Sequence, residues 1–384
     1  MGANGVGAPI LCVVGARPNL MKIAPIIRAM KGAPHPIPVK LLHTGQHYDQ
    51  QMNSQYFQSL GIQDPDINLE VGSATHAVQT AEIMRRFEPV LDSEKPAAVL
   101  VVGDVNSTLA CALVAVKKGI RVIHVEAGLR SFDRTMPEEI NRVLTDQISD
   151  LMFITEKSAR ENLLREGVQG ANIHFVGNVM IDTLRYSLER AVPAASTLAR
   201  HGAAADWVKQ GFAVLTLHRA SNVDDPQTLR SLLNTVVEVS RRLPVVFPVH
   251  PRTRARIEQA GLNALLKTPS IVELPPLDYL VMLGLMQAAK VVLTDSGGLQ
   301  EETTALGVPC ITLRDNTERP ITVEEGTNTL IGLNHVRILA VVDEVLRSGG
   351  KAGRIPELWD GRASQRIVAV LHNWLSAASG QPAA

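Results

Sequence analysis

Between Val122 and Arg142 the chain reads VIHVEAGLRSFDRTMPEEINR, and an acid, Glu126, stands where a β-branched run (Val122, Ile123, Val125) ends. Such a run predicts a buried strand. In open α/β sheets ligands sit beyond the carboxyl ends of parallel strands, so a carboxylate at that point is a candidate proton acceptor or donor. Gly128 and a loop carrying Arg130, Asp133 and Arg134 follow, and Met136-Pro137-Glu138-Glu139 then opens a helix. Proline suits the first helical position and acids suit the positive end of the dipole. Taken singly, Glu126 could be a solvated strand-end residue, and Glu138 and Glu139 ordinary first-turn acids. The weight comes from recurrence.

The strand predicted over Ala97–Val102 runs straight into Gly103-Asp104, with Asn106, Ser107 or Thr108 able to cap the next helix and Asp104 left without a structural reason. Pro9–Val14 is another buried run. It ends in Gly15-Ala16-Arg17-Pro18, so that Arg17 and Lys22 stand at a strand-to-helix turn where cations could meet phosphate. A dinucleotide fingerprint is absent, since Gly5 and Gly7 precede the strand. The rhythm restarts later. Phe212–Leu217 ends in His218-Arg219, Val245–Val249 in His250, Ile271–Leu274 in Pro275-Pro276-Leu277, and Cys310–Leu313 in Arg314 with Arg319 beyond. Val291–Leu293 ends in Thr294-Asp295-Ser296-Gly297-Gly298, ahead of a helix starting at Gln300-Glu301-Glu302. Small residues before a helix expose backbone N–H groups and the positive dipole end, which is an anion site. A βα turn of no function is the alternative.

Two α/β domains are required to hold these strand ends. Alternation of strand and helix predicts a parallel doubly wound sheet in each. The expected bounds are 1–190 and 205–362, with the Ala-rich stretch Ala191–Ala205 as linker and 363–384 as a C-terminal helix packing back on the first domain. At 384 residues the chain is long for one core. Lys+Arg and Asp+Glu balance at 38 each, which gives no bulk attraction for nucleic acid or anionic membrane. Cys12, Cys111 and Cys310 lie far apart in apolar or small-residue contexts, as reduced core thiols would in a cytoplasmic protein, and no spacing suggests zinc or another metal. His43 and His47 flank a glycine on a loop and fix no ligand geometry. The start, MGANGVGAP, lacks a signal-peptide pattern, and no apolar run nears the roughly 20 residues a membrane helix needs.

The order of motifs resembles the non-hydrolysing UDP-N-acetylglucosamine 2-epimerase family: GARPNLMKIAP (15–25), HTGQH (43–47), GDVNST (103–108), HVEAGLR (124–130), PEEINR (137–142), DSGGLQEE (295–302), TERP (317–320), and GRASQRI near the end. The resemblance spans nearly the whole chain. It implies the glycosyltransferase-B architecture, two Rossmann-like domains facing across a cleft, and interconversion of UDP-N-acetylglucosamine and UDP-N-acetylmannosamine in the cytoplasm by a homodimer without a cofactor. It implies catalytic roles for Asp104, Glu126, Glu138 and His218. Substrate contacts would come from Arg17, Lys22, Arg219, Ser296, Gly297, Gly298, Glu302 (ribose hydroxyls) and Arg319, with the uracil near the backbone of Leu277 and Met282. Which acid is the base on each face of the sugar stays open.

Two departures stand out. HisArgAlaSerAsn (218–222) replaces the HisArgArgGluAsn of many members, and residues 72–75 contain no arginine where members activated by their substrate carry one. Activation by UDP-N-acetylglucosamine is therefore expected to be weak or absent. The alternatives are a 2-epimerase of the same family acting on UDP-2,3-diacetamido-2,3-dideoxyglucuronate, a glycosyltransferase of the same fold, and a hydrolysing epimerase.

Overall fold

The computed structural model describes residues 7–45, 54–203 and 206–379, so Gln46 and His47 of the HTGQH motif and Ala204–Ala205 lie outside the described residues. The chain divides into two compact units, Met1–Thr183 with Glu357–Ala384, and Leu184–Pro356.

In the first unit seven strands form one sheet in the order β3-β2-β1-β4-β5-β6-β7. They are β1 (Ile10–Val14), β2 (Val39–His43), β3 (Ile67–Asn68), β4 (Ala98–Val102), β5 (Arg121–Val125), β6 (Leu151–Ile154) and β7 (Ile173–Phe175). Every pairing is parallel. Strands β1, β4 and β6 are buried throughout, as a sheet covered by helices on both faces requires. The strand order reverses between β1 and β4, and a parallel sheet opens its crevice at such a point.

The second unit repeats the scheme with six strands ordered β10-β9-β8-β11-β12-β13. They are β8 (Ala213–Thr216), β9 (Val245–Pro248), β10 (Ile271–Leu274), β11 (Val291–Thr294), β12 (Cys310–Thr312) and β13 (Asn328–Leu330), again all parallel. Its reversal lies between β8 and β11. Two parallel sheets of Rossmann-like type are therefore present, as the alternation of strands and helices implies.

The stretch read as a linker contains a helix, Ala194–Arg200, whose Ala194 and Leu198 are buried in the second unit's core together with Leu184. Alanine is the best helix former, and Pro193 ahead of it suits a helix start. The return to the first unit comes at Glu357, where Trp359 is buried and its indole N–H donates to the Thr155 carbonyl at 3.1 Å. Helix Ala363–Ser379 then packs on helix Arg17–Gly32. Its first turn is anchored by buried Asp182, which accepts from the backbone N–H groups of Ala363 (3.0 Å) and Ser364 (2.8 Å) and from the Ser364 hydroxyl (2.6 Å). Asp182→Ala orphans these donors and is expected to cost about 1–3 kcal/mol, read as a lowered urea midpoint and faster amide exchange over residues 363–375.

Candidate active site

In the first unit the functional side chains rise from the carboxyl ends of β1, β4 and β5. The first turn of helix Arg17–Gly32 holds Asn19, whose side-chain oxygen accepts from the N–H groups of Gly15 (3.3 Å) and Ala16 (3.1 Å) while its amide donates to the Val102 carbonyl (3.1 Å). This ties the end of β1 to the end of β4. One turn later Lys22, 6% exposed, lies with its ammonium 2.7 Å from a Glu126 carboxylate oxygen, and Glu126 is 3% exposed. A Cβ on Gly103 would stand 3.1 Å from the same ammonium, so the cation lies over the turn that leads to Asp104.

Glu126 has φ of +70°, a left-handed conformation uncommon for a residue with a side chain. Its N–H and that of Ala127 both donate to the Phe153 carbonyl, at 3.0 and 3.1 Å. Two residues directly after β5 thus oppose one of β6, a bulge that re-aims the glutamate out of the strand's alternation. Asp104 is held from the next helix, Pro137–Gln147: Arg142 reaches its carboxylate at 2.8 and 3.0 Å, and the Asn141 amide donates to its carbonyl at 2.9 Å. Glu138 sits half-buried in the first turn of that helix. Its neighbour Glu139 is 2% exposed and accepts from the N–H groups of Ser131 (3.0 Å) and Phe132 (2.8 Å), with Arg142 also on it. Glu139 is therefore a loop anchor, a role that its first-turn position in the sequence does not reveal. Arg17 is half-buried at the helix start.

The second unit builds its own constellation at β8, β11 and β12. Asp295, fully buried, accepts from the backbone N–H groups of His218 (3.0 Å) and Arg219 (2.9 Å) and from the Asn222 amide (3.3 Å), and its other oxygen lies 2.8 Å from His218 Nδ1. Burial raises the Asp295 carboxyl, but the hydrogen bond and charge of His218 outweigh it and hold the group below the usual carboxylate range. Binding Nδ1 to Asp295 directs Nε2 outward from a side chain 40% exposed. The His250 ring stands 5.7 Å from it, and burial with the neighbouring His218 pushes His250 down.

Helix Gly297–Leu306 starts behind Ser296, whose backbone is extended and whose side chain makes no cap. A Cβ on Gly297 would meet Glu318 at 2.7 Å and the Arg319 guanidinium at 2.9 Å, so only glycine lets the helix end approach them. Arg319, 6% exposed, pairs with Glu301 (2.9 Å) and Glu318 (2.7 Å), and Arg314 pairs with Glu318 (2.8 Å). Burial alone would raise Glu318; the Arg319 and Arg314 guanidiniums overcome it and keep it well below the usual range. Gly298 has open space at its Cβ position. Leu277 and Met282 pack on the second unit's core, and the Met282 N–H is spent on the Asp278 carbonyl at 3.0 Å. Next to them a cavity is lined by Val249, Pro251, Leu274 and Pro275–Pro276.

Glu302 is 4% exposed, and burial pushes its carboxyl up to about 7, with Tyr279 pulling down and Glu301 pushing up. The folded value lies above the ordinary 4.5, so the native state binds more protons between those values and stability falls as pH rises through that window. Glu302→Gln removes the buried charge. It is expected to raise stability at pH 8.5 by on the order of 3 kcal/mol and to change little at pH 4.5, as urea melts at the two pH values would report.

The structure thus brings Lys22, Asp104 and Glu126 to one switch point, and His218, Arg219, Gly297 and Arg319 to the other. Sequence reasoning missed the anchors beneath them: Asp295, Glu318, Glu139 and the buried pair His124 and Asp146. Asp295, Glu318, Glu139 and His124 carried a signal, as members of the motifs, and Asp146 carried none. Among the described residues, no group of three or more His, Cys, Asp or Glu could hold a metal ion, and no helix is long and apolar enough to cross a membrane.

A family model described as UDP-N-acetylglucosamine 2-epimerase matches residues 29–372. UDP-N-acetylglucosamine 2-epimerase of Methanocaldococcus jannaschii is 42% identical over 94% of this chain and 97% of its own length. UDP-2,3-diacetamido-2,3-dideoxy-D-glucuronate 2-epimerase of Pseudomonas aeruginosa is 41% identical over 94% of this chain and 99% of its own. A solved structure of UDP-GlcNAc 2-epimerase from the same archaeon, in complex with UDP-GlcNAc and UDP, superposes with a TM-score of 0.83 at 41% identity, covering 94% of this chain and 99% of that one.

Proposed function

This chain belongs to the UDP-N-acetylglucosamine 2-epimerase family, and we propose that it interconverts UDP-N-acetylglucosamine and UDP-N-acetylmannosamine by elimination and re-addition of UDP. The sugar C2–H is not beside a carbonyl, so a carboxylate alone does not remove it at neutral pH. Departure of UDP from C1 changes that. As the C1–O bond breaks, oxocarbenium character acidifies C2–H; a base takes that proton, the electron pair forms C1=C2, and 2-acetamidoglucal and UDP remain. Protonation of C2 from the opposite face and attack of the UDP oxygen at C1 complete the inversion. The pathway is redox-neutral.

What carries this reading is Glu126, an acid held in a left-handed bulge at a strand's carboxyl end against a buried ammonium 2.7 Å away. Such strain and desolvation are features of catalytic carboxylates. Glu126, Asp104 and Glu138 would act on the sugar carbons, and His218, aligned by Asp295, on the departing diphosphate. The N–H groups at Ser296–Gly298, together with Arg17, Lys22, Arg219 and Arg319, would hold that diphosphate, as free amides and cations hold anions. Glu302 would take the ribose hydroxyls, and the segment from Leu277 to Met282 the uracil. The similarity to the Pseudomonas aeruginosa enzyme supports a second reading, in which the sugar is a 2,3-diacetamido-2,3-dideoxyglucuronate.

Incubating the protein in heavy water with EDTA and each UDP-sugar, followed by proton NMR, tests both. Epimerisation puts deuterium at C2 of the inverted UDP-sugar. Free N-acetylmannosamine would mean hydrolysis, and no change in either substrate without an acceptor would favour a transferase. A cytoplasmic homodimer is proposed from the resemblance, and sedimentation measures the oligomer.

A further inference from the structure

We propose that the buried pair His124 and Asp146 is a positioning device that sets both strand-end acids, Asp104 and Glu126, in their working geometry, and that it does so as an imidazolium–carboxylate pair. This rests on the epimerase reading above. His124 lies on β5, two residues before Glu126, and is fully buried. Its Nδ1 is 2.6 Å from Asp146 and its Nε2 2.9 Å from the Gly103 carbonyl. A carbonyl and a carboxylate are both acceptors, so the geometry places both ring nitrogens to donate.

Each end of the pair fixes one acid. On the first side, Gly103 is gripped twice by β5, its N–H donating to the Val125 carbonyl (3.1 Å) and its carbonyl accepting from His124; Asp104 is the next residue. On the second side, the other Asp146 oxygen accepts from the Gly128 N–H (3.1 Å) and from Arg130 (2.7 Å). These residues form the turn directly after Glu126. A Cβ on Gly128, at φ of +78°, would stand 2.5 Å from the Ala159 carbonyl, so the turn has one permitted path. Asp146 thereby holds the strained φ of Glu126 from behind, and Arg130 is itself tied to Glu166 at 2.6 Å. Burial would raise Asp146, yet His124 and Arg130 keep it below the carboxylate range, consistent with an ionised pair. Neither side chain is needed at the sugar for this role.

Two measurements test the proposal. The ring-nitrogen NMR signals of His124 in the wild-type protein need no substrate and are expected to report a doubly protonated ring at pH 7.5. In Asp146→Asn, which keeps the volume and removes the charge, the ring should turn neutral. Turnover of UDP-N-acetylglucosamine per UDP-binding site should fall about 10- to 100-fold, with KM and UDP affinity within about twofold, because a misplacement near 1 Å costs rate at that scale. If Asp146→Asn does not fold, His124→Gln carries the same expectation of reduced turnover. A pair that matters only for stability would lower the fraction folded and leave turnover per UDP site normal. That result, or a neutral His124 ring in the wild type, overturns the proposal. Absence of C2 exchange by the wild type with either sugar would instead overturn the epimerase reading, and the nitrogen signals would still decide whether the pair is ionised.

Discussion

Glu126→Gln is expected to abolish exchange of the C2 hydrogen in heavy water, with turnover falling about 10²–10⁴-fold and UDP affinity, measured by calorimetry, nearly unchanged. Glutamine keeps the shape of the side chain and the bulge at φ of +70°, and loses only the charge. The same change leaves Lys22, 6% exposed, without its carboxylate partner. A buried ion deprived of its partner costs about 3–5 kcal/mol, so the variant should also melt earlier. The double variant Lys22→Met with Glu126→Gln separates the two effects. It should recover much of the stability, since both charges are gone, and none of the exchange. A single variant with full exchange would remove Glu126 from the chemistry.

The second large effect is expected at Asp295, where an asparagine offers one acceptor and an N–H₂ group to a site built only of donors. The backbone N–H groups of His218 and Arg219, the Asn222 amide and the His218 ring all turn on that carboxylate. Leaving at least one of these buried donors unmet costs about 1–3 kcal/mol, and the ring of His218 loses the partner that orients it. Asp295→Asn should therefore lower both the urea midpoint and turnover. The sign of its pH dependence follows from the depressed folded value. Stability contributed by Asp295 is fully present above its ordinary value of 3.8 and is lost as pH falls through the folded value. The wild-type advantage over the variant should be full at pH 7 and shrink below about pH 4. An advantage equally large at pH 3 would mean that charge has no part in it.

Much of this arrangement was legible before folding is considered. Runs such as Ile10–Val14 and Ala98–Val102 are apolar at every position because a parallel sheet covers them on both faces, and the polar residue ending each run marks where the crevice opens. Asp104, Glu126, His218 and Ser296 could all be picked out that way. The linker was misread at Ala194–Arg200 because composition reports helix propensity and softness alike. The role of Glu139 was hidden because a first-turn acid is usually solvated; here the loop at Ser131–Phe132 folds over it.

Strand, turn and helix start depend on neighbours along the chain, and so the two α/β halves, the polar strand ends and the glycines of the turn after β11 were decided by the amino-acid order alone. Charge partners are another matter. Lys22 and Glu126 are 104 residues apart, and His218 and Asp295 are 77 apart. No local pattern announces such pairs, because burial makes an unpaired charge costly and any distant residue of opposite sign can relieve it. Folding alone chose which acid faces which cation, and with that choice came the strained backbone at Glu126 and the placing of His124 between Asp146 and the Gly103 carbonyl.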